Sequence, residues 1–221
     1  MKKLYTINTV NNFMEIIFNP FVKPFCEKNG IDVYNIMDDS LLSGTREAGR
    51  MTPAIASRMM HYAKAAEDSG ADGVLVTCTS VNEATAMIQP FMSVPMLNIE
   101  EPVAEMAVKN GRRIGVLATL PTSPAAIDRV IRRYAAAEGK QIEIVDHVVD
   151  GAFDVLCAGD RAKHDEMVNE ALYRLSSEVD VIAFAQISMS MLRHDPVETP
   201  IYKIGESGLE RIFDMMNGGA R

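Results

Sequence analysis

Short β-branched and aliphatic runs alternate along the chain with longer stretches in which apolar residues recur every three or four positions. The first pattern fits buried parallel strands and the second fits the helices that cross between them. Strands are predicted at Leu4 to Asn8, Asp32 to Ile36, Gly73 to Thr77, Pro95 to Asn98, Ile114 to Ala118, Ile142 to Asp146, Val179 to Ala185 and Ile201 to Ile204. Helices fill most of the intervals. Thr52-Pro53 and Ser123-Pro124 each set a hydroxyl residue before a proline, a cap and first-turn pair that opens a helix. The result is an α/β protein.

The pattern also repeats. ADGVLVTCTS followed by VPMLNIEEPVAEMA matches VDVIAFAQIS followed by TPIYKIGESGLERI: a strand, a polar corner, a Pro-led short strand and an acidic helix start. The openings KKLYTINTVNN and RRIGVLATLPT correspond too, each with basic residues, an apolar strand and a loop of hydroxyls or amides. The chain therefore reads as two similar α/β lobes, residues 1–98 and 99–205. Ligands collect at the carboxyl ends of open parallel sheets, and a duplication can turn those ends toward each other, which predicts a cleft between Cys78 and Gln186.

Composition narrows the chemistry. With 221 residues, 48% hydrophobic and 24% charged, the chain can bury a sizeable core. A formal net charge of −8 opposes a phosphate backbone, so nucleic acid is not an expected partner. MKKLYTINTVNNF lacks the apolar core of a signal peptide, and no later run is long enough to span a bilayer, so the expected location is cytoplasmic, with no membrane partner. Three cysteines without C-x-x-C spacing point to free thiols. No clustered ligand set predicts a metal, and no glycine-rich nucleotide motif is present, so no cofactor is expected.

Cys78 is the sharpest candidate. A thiol at a strand end ahead of a helix lies near backbone N–H groups and the positive helix terminus, which favour thiolate. Thr79 and Ser80 beside it suit a substrate carboxylate. The competing reading is a small buried core residue. The repeat tips the balance toward chemistry, whereas Cys26 and Cys157 lack such corners and read as structural or incidental.

On these residues the sequence resembles the aspartate/glutamate/hydantoin racemase superfamily, which includes arylmalonate decarboxylase and maleate isomerase, over nearly its whole length. The resemblance implies two pseudo-symmetric flavodoxin-like lobes, each a parallel sheet flanked by helices, with an active site in the cleft between them. It also implies that the C-terminal segment 206–221, with its helix Glu206 to Met216, packs back on the first lobe, and that the protein is a homo-oligomer such as a dimer. In that family Cys-Asn-Thr/Ser ends a strand of the first half and Cys-Thr-His one of the second. Here Cys78-Thr79-Ser80 stands at the first motif and Gln186-Ile187-Ser188 at the second, so the second thiol is missing. The loop Gly115 to Thr122 is similar to the family's second-half phosphate-or-carboxylate loop, with Thr119 and Thr122 as donors, and Asn8, Thr9 and Asn11 as the first-half counterpart.

Racemisation by two bases needs an ionisable group on each face, and Gln186 offers only an amide that can hydrogen-bond a carboxylate or enediolate, or hold a water. The chain thus reads as a cofactor-independent racemase or isomerase of a small carboxylate, Cys78 acting as base or as a nucleophile on an activated double bond. The alternatives are a decarboxylase or other lyase protonating one face, and a carboxylate binder that turns nothing over. His147, taken to follow the Ile142 to Asp146 strand as Asp39 follows its own, His194 in MLRHDPVETP, and Arg46 and Arg50 in a polar loop are further candidates, each equally readable as a surface feature. His164 is expected to face solvent, the methionines of the first half to be plastic core, and Glu100, Glu101 and Glu206 to complement helix N-termini.

Overall fold

The computed structural model describes residues 1–219. The strands β1 (Lys2–Asn8), β2 (Ile31–Met37), β3 (Gly73–Val76) and β4 (Met96–Asn98) form one parallel sheet in the order β2-β1-β3-β4. β5 (Arg113–Ala118), β6 (Glu143–Val148), β7 (Val181–Phe184) and β8 (Ile201–Tyr202) form a second in the order β6-β5-β7-β8. Each predicted strand is present, its ends moved by at most two residues. The chain divides into two compact units, Met1–Ile99 with residues from Gly205 on, and Glu100–Ile204. Of the C-terminal segment assigned to the first lobe, residues 220–221 lie outside the described residues.

In the first unit β1 and β3 carry Ile7, Val74 and Val76 against Ile55, Met59 and Ala63 of helix α3 (Pro53–Asp68). Thr52 caps α3 by accepting from the Ile55 N–H at 3.4 Å, as the Thr-Pro pair predicts. The C-terminal helix (Glu206–Met216) packs on β3 and β4. Two glycines permit this: a Cβ at Gly73 would stand 2.8 Å from Met216 Cγ, and one at Gly208 only 2.4 Å from the Ile99 carbonyl oxygen. Met59, Met92 and Met96 are buried as expected of plastic core, while Met87 is exposed.

The second unit packs Leu117, Ile182 and Phe184 against Val168, Leu172 and Leu175 of helix α8 (Arg161–Ser176). Its first crossover is one unbroken helix, α6 (Ser123–Ala137). The corresponding crossover of the first unit is a π-helix, Met14–Val22, that runs into α1 (Lys23–Asn29). Pro20 lies inside that π-helix, where the missing N–H disfavours a regular α-helical ladder.

Three local expectations change. Ser123 already lies within α6 and its buried hydroxyl has no partner, so it does not cap the helix. The stretch read as a polar loop around Arg46 is mostly helix α2 (Ser40–Ala48), closed by Gly49 at φ 66°. His147 lies inside β6 opposite Leu117, not after the strand. Its counterpart is Ile36, which pairs with Ile7 one residue before the end of β1, so the equation with Asp39 fails.

Candidate active site

In each sheet the first strand connects outward to one neighbour and the third to the other, so the carboxyl ends of β1 and β3, and of β5 and β7, are switch points where no crossover covers the edge. The registers place the same positions there. Ile7 pairs with Val76 and Leu117 with Phe184, so Thr9 and Cys78 hold the same places past those pairs in one lobe as Thr119 and Gln186, which are hydrogen-bonded, hold in the other.

At the first switch point Cys78 is half-buried and extended, with φ −120° and ψ 113°, and leads into a 3-10 turn (Thr79–Val81) and helix α4 (Asn82–Ile88). Thr79 and Ser80 in that turn are buried. Behind the thiol runs a polar ladder: Thr77 Oγ1 donates to Asn8 Oδ1 at 2.8 Å, and Asn8 Nδ2 donates to Thr6 Oγ1 at 2.8 Å and to the Ile36 carbonyl at 3.2 Å. Asn8 is thus a fully buried brace whose amide hydrogens are spent within the sheet. Thr9 differs. It is buried, and its Oγ1 has no partner, an unusual state for a sealed hydroxyl. Asn11 donates to Asp39 Oδ2 at 2.8 Å on the exposed rim.

At the second switch point Gln186 is 7% exposed, and its Oε1 accepts from the Thr119 N–H at 2.6 Å, the Thr119 hydroxyl at 3.1 Å and the Leu120 N–H at 3.3 Å. Two backbone donors fix the amide orientation, because only its oxygen can accept. Nε2 has no hydrogen-bond partner among the described residues. Ile187 and Ser188 are buried in the following turn, and Ser188 Oγ is unpartnered. Thr122 lies half-buried just ahead of α6.

The other candidates are less centred. His194 sits in the loop after the second corner with Nδ1 2.8 Å from the Asp195 carbonyl oxygen. Arg46 and Arg50 are exposed. His164, expected in solvent, is 0% exposed with Nδ1 2.7 Å from Asp165 Oδ1, because it shares the α8 face of Val168, Ala171, Leu172 and Leu175. Cys26 is buried, and burial pushes its thiol up to about 11, while Cys157 is exposed. Among the described residues no group of three His, Cys, Asp or Glu side chains is placed to hold a metal ion, and no helix is long and apolar enough to cross a membrane.

Two charged features escaped the sequence reading. Asp38, just past β2, is partly desolvated, yet hydrogen bonds from Ser40 and Tyr62 and the charge of Arg58 hold its carboxyl below the usual range. Lys203, just past β8, is half-buried over the Phe184 ring at 5.6 Å and donates to the Leu192 carbonyl at 3.1 Å; desolvation lowers its pKa. Neither carries a motif, and only the strand-end position of each marks it.

A model of the Asp/Glu/hydantoin racemase family matches residues 34–203. The chain belongs to that family. Solved structures agree in fold. Allantoin racemase from Klebsiella pneumoniae superposes with a TM-score of 0.70 at 14% identity, over 100% of this chain and 90% of that one. An aspartate racemase homologue from Pyrococcus horikoshii gives 0.71 at 19% identity, over 98% and 100%. A mutant of arylmalonate decarboxylase in a sulfate-associated form gives 0.60 at 12% identity, over 99% and 95%. Comparison with curated proteins finds no match. The two-lobed α/β architecture of this racemase family is thus that of the chain.

Proposed function

We propose that this member of the family is a cofactor-independent racemase or isomerase of a small carboxylic acid, with Cys78 as thiolate base or nucleophile. The observation that carries the reading is the first switch point, where a half-buried thiol follows β3 and a buried hydroxyl with no hydrogen-bond partner, Thr9 Oγ1, follows the neighbouring β1. In this reading the hydroxyls of Thr9, Thr79 and Ser80, with nearby backbone amides, take the substrate carboxylate and the negative charge that grows on it. Cys78 sulfur accepts the α-proton, leaving an enediolate, and the proton returns to carbon in the product. On an unsaturated acid the same thiolate would add to the double bond, allow rotation and leave.

Gln186 stands where the family resemblance puts a second thiol, and its amide has no proton to give at neutral pH. That favours, as a second reading, one-faced chemistry such as decarboxylation followed by protonation from Cys78. A small acid is the expected partner in either case, and a cytoplasmic homo-oligomer the expected setting.

Incubating the protein with a panel of small acids in D2O and following the mixture by NMR separates these reactions. Alpha-deuteration with loss of optical activity supports racemisation, alkene isomerisation supports the nucleophilic route, and release of CO2 supports the lyase. Turnover unchanged in Cys78→Ala would overturn all three.

A further inference from the structure

The second switch point holds a feature that the proposed reaction does not use. Three donors, two of them successive backbone N–H groups, converge on the single oxygen Oε1 of Gln186. A neutral amide oxygen has two lone pairs, so three donors exceed its ordinary complement. Successive N–H groups pointing into one concavity form a nest whose summed partial charge prefers an anion. The shortest contact, 2.6 Å from the Thr119 nitrogen, lies just below the usual range for an N–H donor and fits such a crowded acceptor. The donors are built for a carboxylate, and the chain has put its own carboxamide there.

We infer that Thr119 and Leu120 form a latent carboxylate-binding nest that Gln186 keeps closed, which makes Gln186 a specificity-determining residue. The side chain exchanges a three-donor anion cradle for one neutral donor, its unpartnered Nε2. Resting on the proposed carboxylate chemistry, the consequence is selection against a carboxylate presented to this edge. A neutral carbonyl oxygen matches Nε2. A carboxylate would find the nest already taken. The register fixes the cause: Gln186 continues β7 directly opposite the residue after β5, so its side chain reaches the loop amides without leaving the sheet edge.

The test reads the nest itself. In 15N-labelled protein titrated with sodium acetate, the Thr119 and Leu120 amide resonances of Gln186→Ala should shift and saturate, while those of the wild type stay put. Amides that ignore acetate in the variant, or that respond equally in the wild type, overturn the inference. Should the alanine variant fail to fold, Gln186→Glu keeps the side chain in place, and its carboxyl should remain ionised well below the usual glutamate value of about 4.3. Titration in the ordinary range would count against the nest. Since these readouts are resonance positions and not turnover, a fully active Cys78→Ala would sink the catalytic reading and leave this one standing.

Discussion

The corners at Cys78 and Gln186 come from one template and are braced in opposite ways. In the first lobe the brace lies behind the corner: Thr6, Asn8 and Thr77 link three strands through side-chain hydrogen bonds, and the residue at the tip is left half-exposed. The registers put Val116, Ala118 and Ala185 at the same places in the second lobe, all buried and none with a polar side chain. There the tie is made at the tip itself, by Gln186 on Thr119 and Leu120. A buried polar group must be satisfied somewhere. Bracing from behind leaves the tip half-exposed, and bracing from the tip buries it.

Substitutions at matched positions test this contrast. The largest expected effect is catalytic: Cys78→Ala should lower turnover of the identified acid by about 10³-fold, the range for loss of a proton-transferring group. Gln186→Ala should act mainly on KM, and a kcat loss matching that of Cys78→Ala would erase the distinction between the corners. Next comes stability. Asn8→Ala takes an acceptor from Thr77 and a donor from Thr6 inside the first sheet and should cost about 2 kcal/mol in urea unfolding. Ala118→Ser, at the equivalent place, adds a hydroxyl with no ladder to join and should not stabilise the second lobe.

Smaller effects come from acids shifted in opposite directions in the two lobes. Asp128 of α6 is pushed up to about 6, first by desolvation and then by the charge of Asp146. The folded protein therefore keeps a proton that the unfolded chain gives up, and stability falls as pH rises from about 4 through the folded value. Asp128→Asn should remove that fall, raising Tm above pH 6 and matching the wild type in stronger acid. Asp38 has the opposite sign: its depressed carboxyl stabilises the fold at neutral pH, and that contribution disappears as pH drops through its folded value. The Tm loss of Asp38→Asn should therefore shrink in acid. The mildest test is alkylation at pH 8, where Cys78 and the exposed Cys157 should react long before Cys26, held protonated by burial.

The strands were readable because parallel strands buried on both faces are continuous apolar runs, as GVLV and VIAF show. The corner at Cys78 was readable because the repeat fixed its place. The β6 boundary was not: this strand lies at the sheet edge, only partly buried, so its apolar signal fades before His147 and Val148. Helix α2 hid behind Gly44 and a run of polar residues. His164 looked like a surface residue in AKHDEM, where charged neighbours masked the heptad-like spacing to Val168, Ala171 and Leu175. Least legible was the bond from Gln186 to Thr119, 67 residues away, since no local pattern announces that a side chain will fill a loop.

The placement of the C-terminal helix bears on the order of assembly. The second unit is continuous in sequence, whereas the first takes its strands from before that unit and a packed helix from after it. During synthesis the later-made half can close its core while the earlier one still lacks a cover for β3 and β4. Until Gly208 settles against Ile99, that sheet face stays open to chaperones and to other nascent chains.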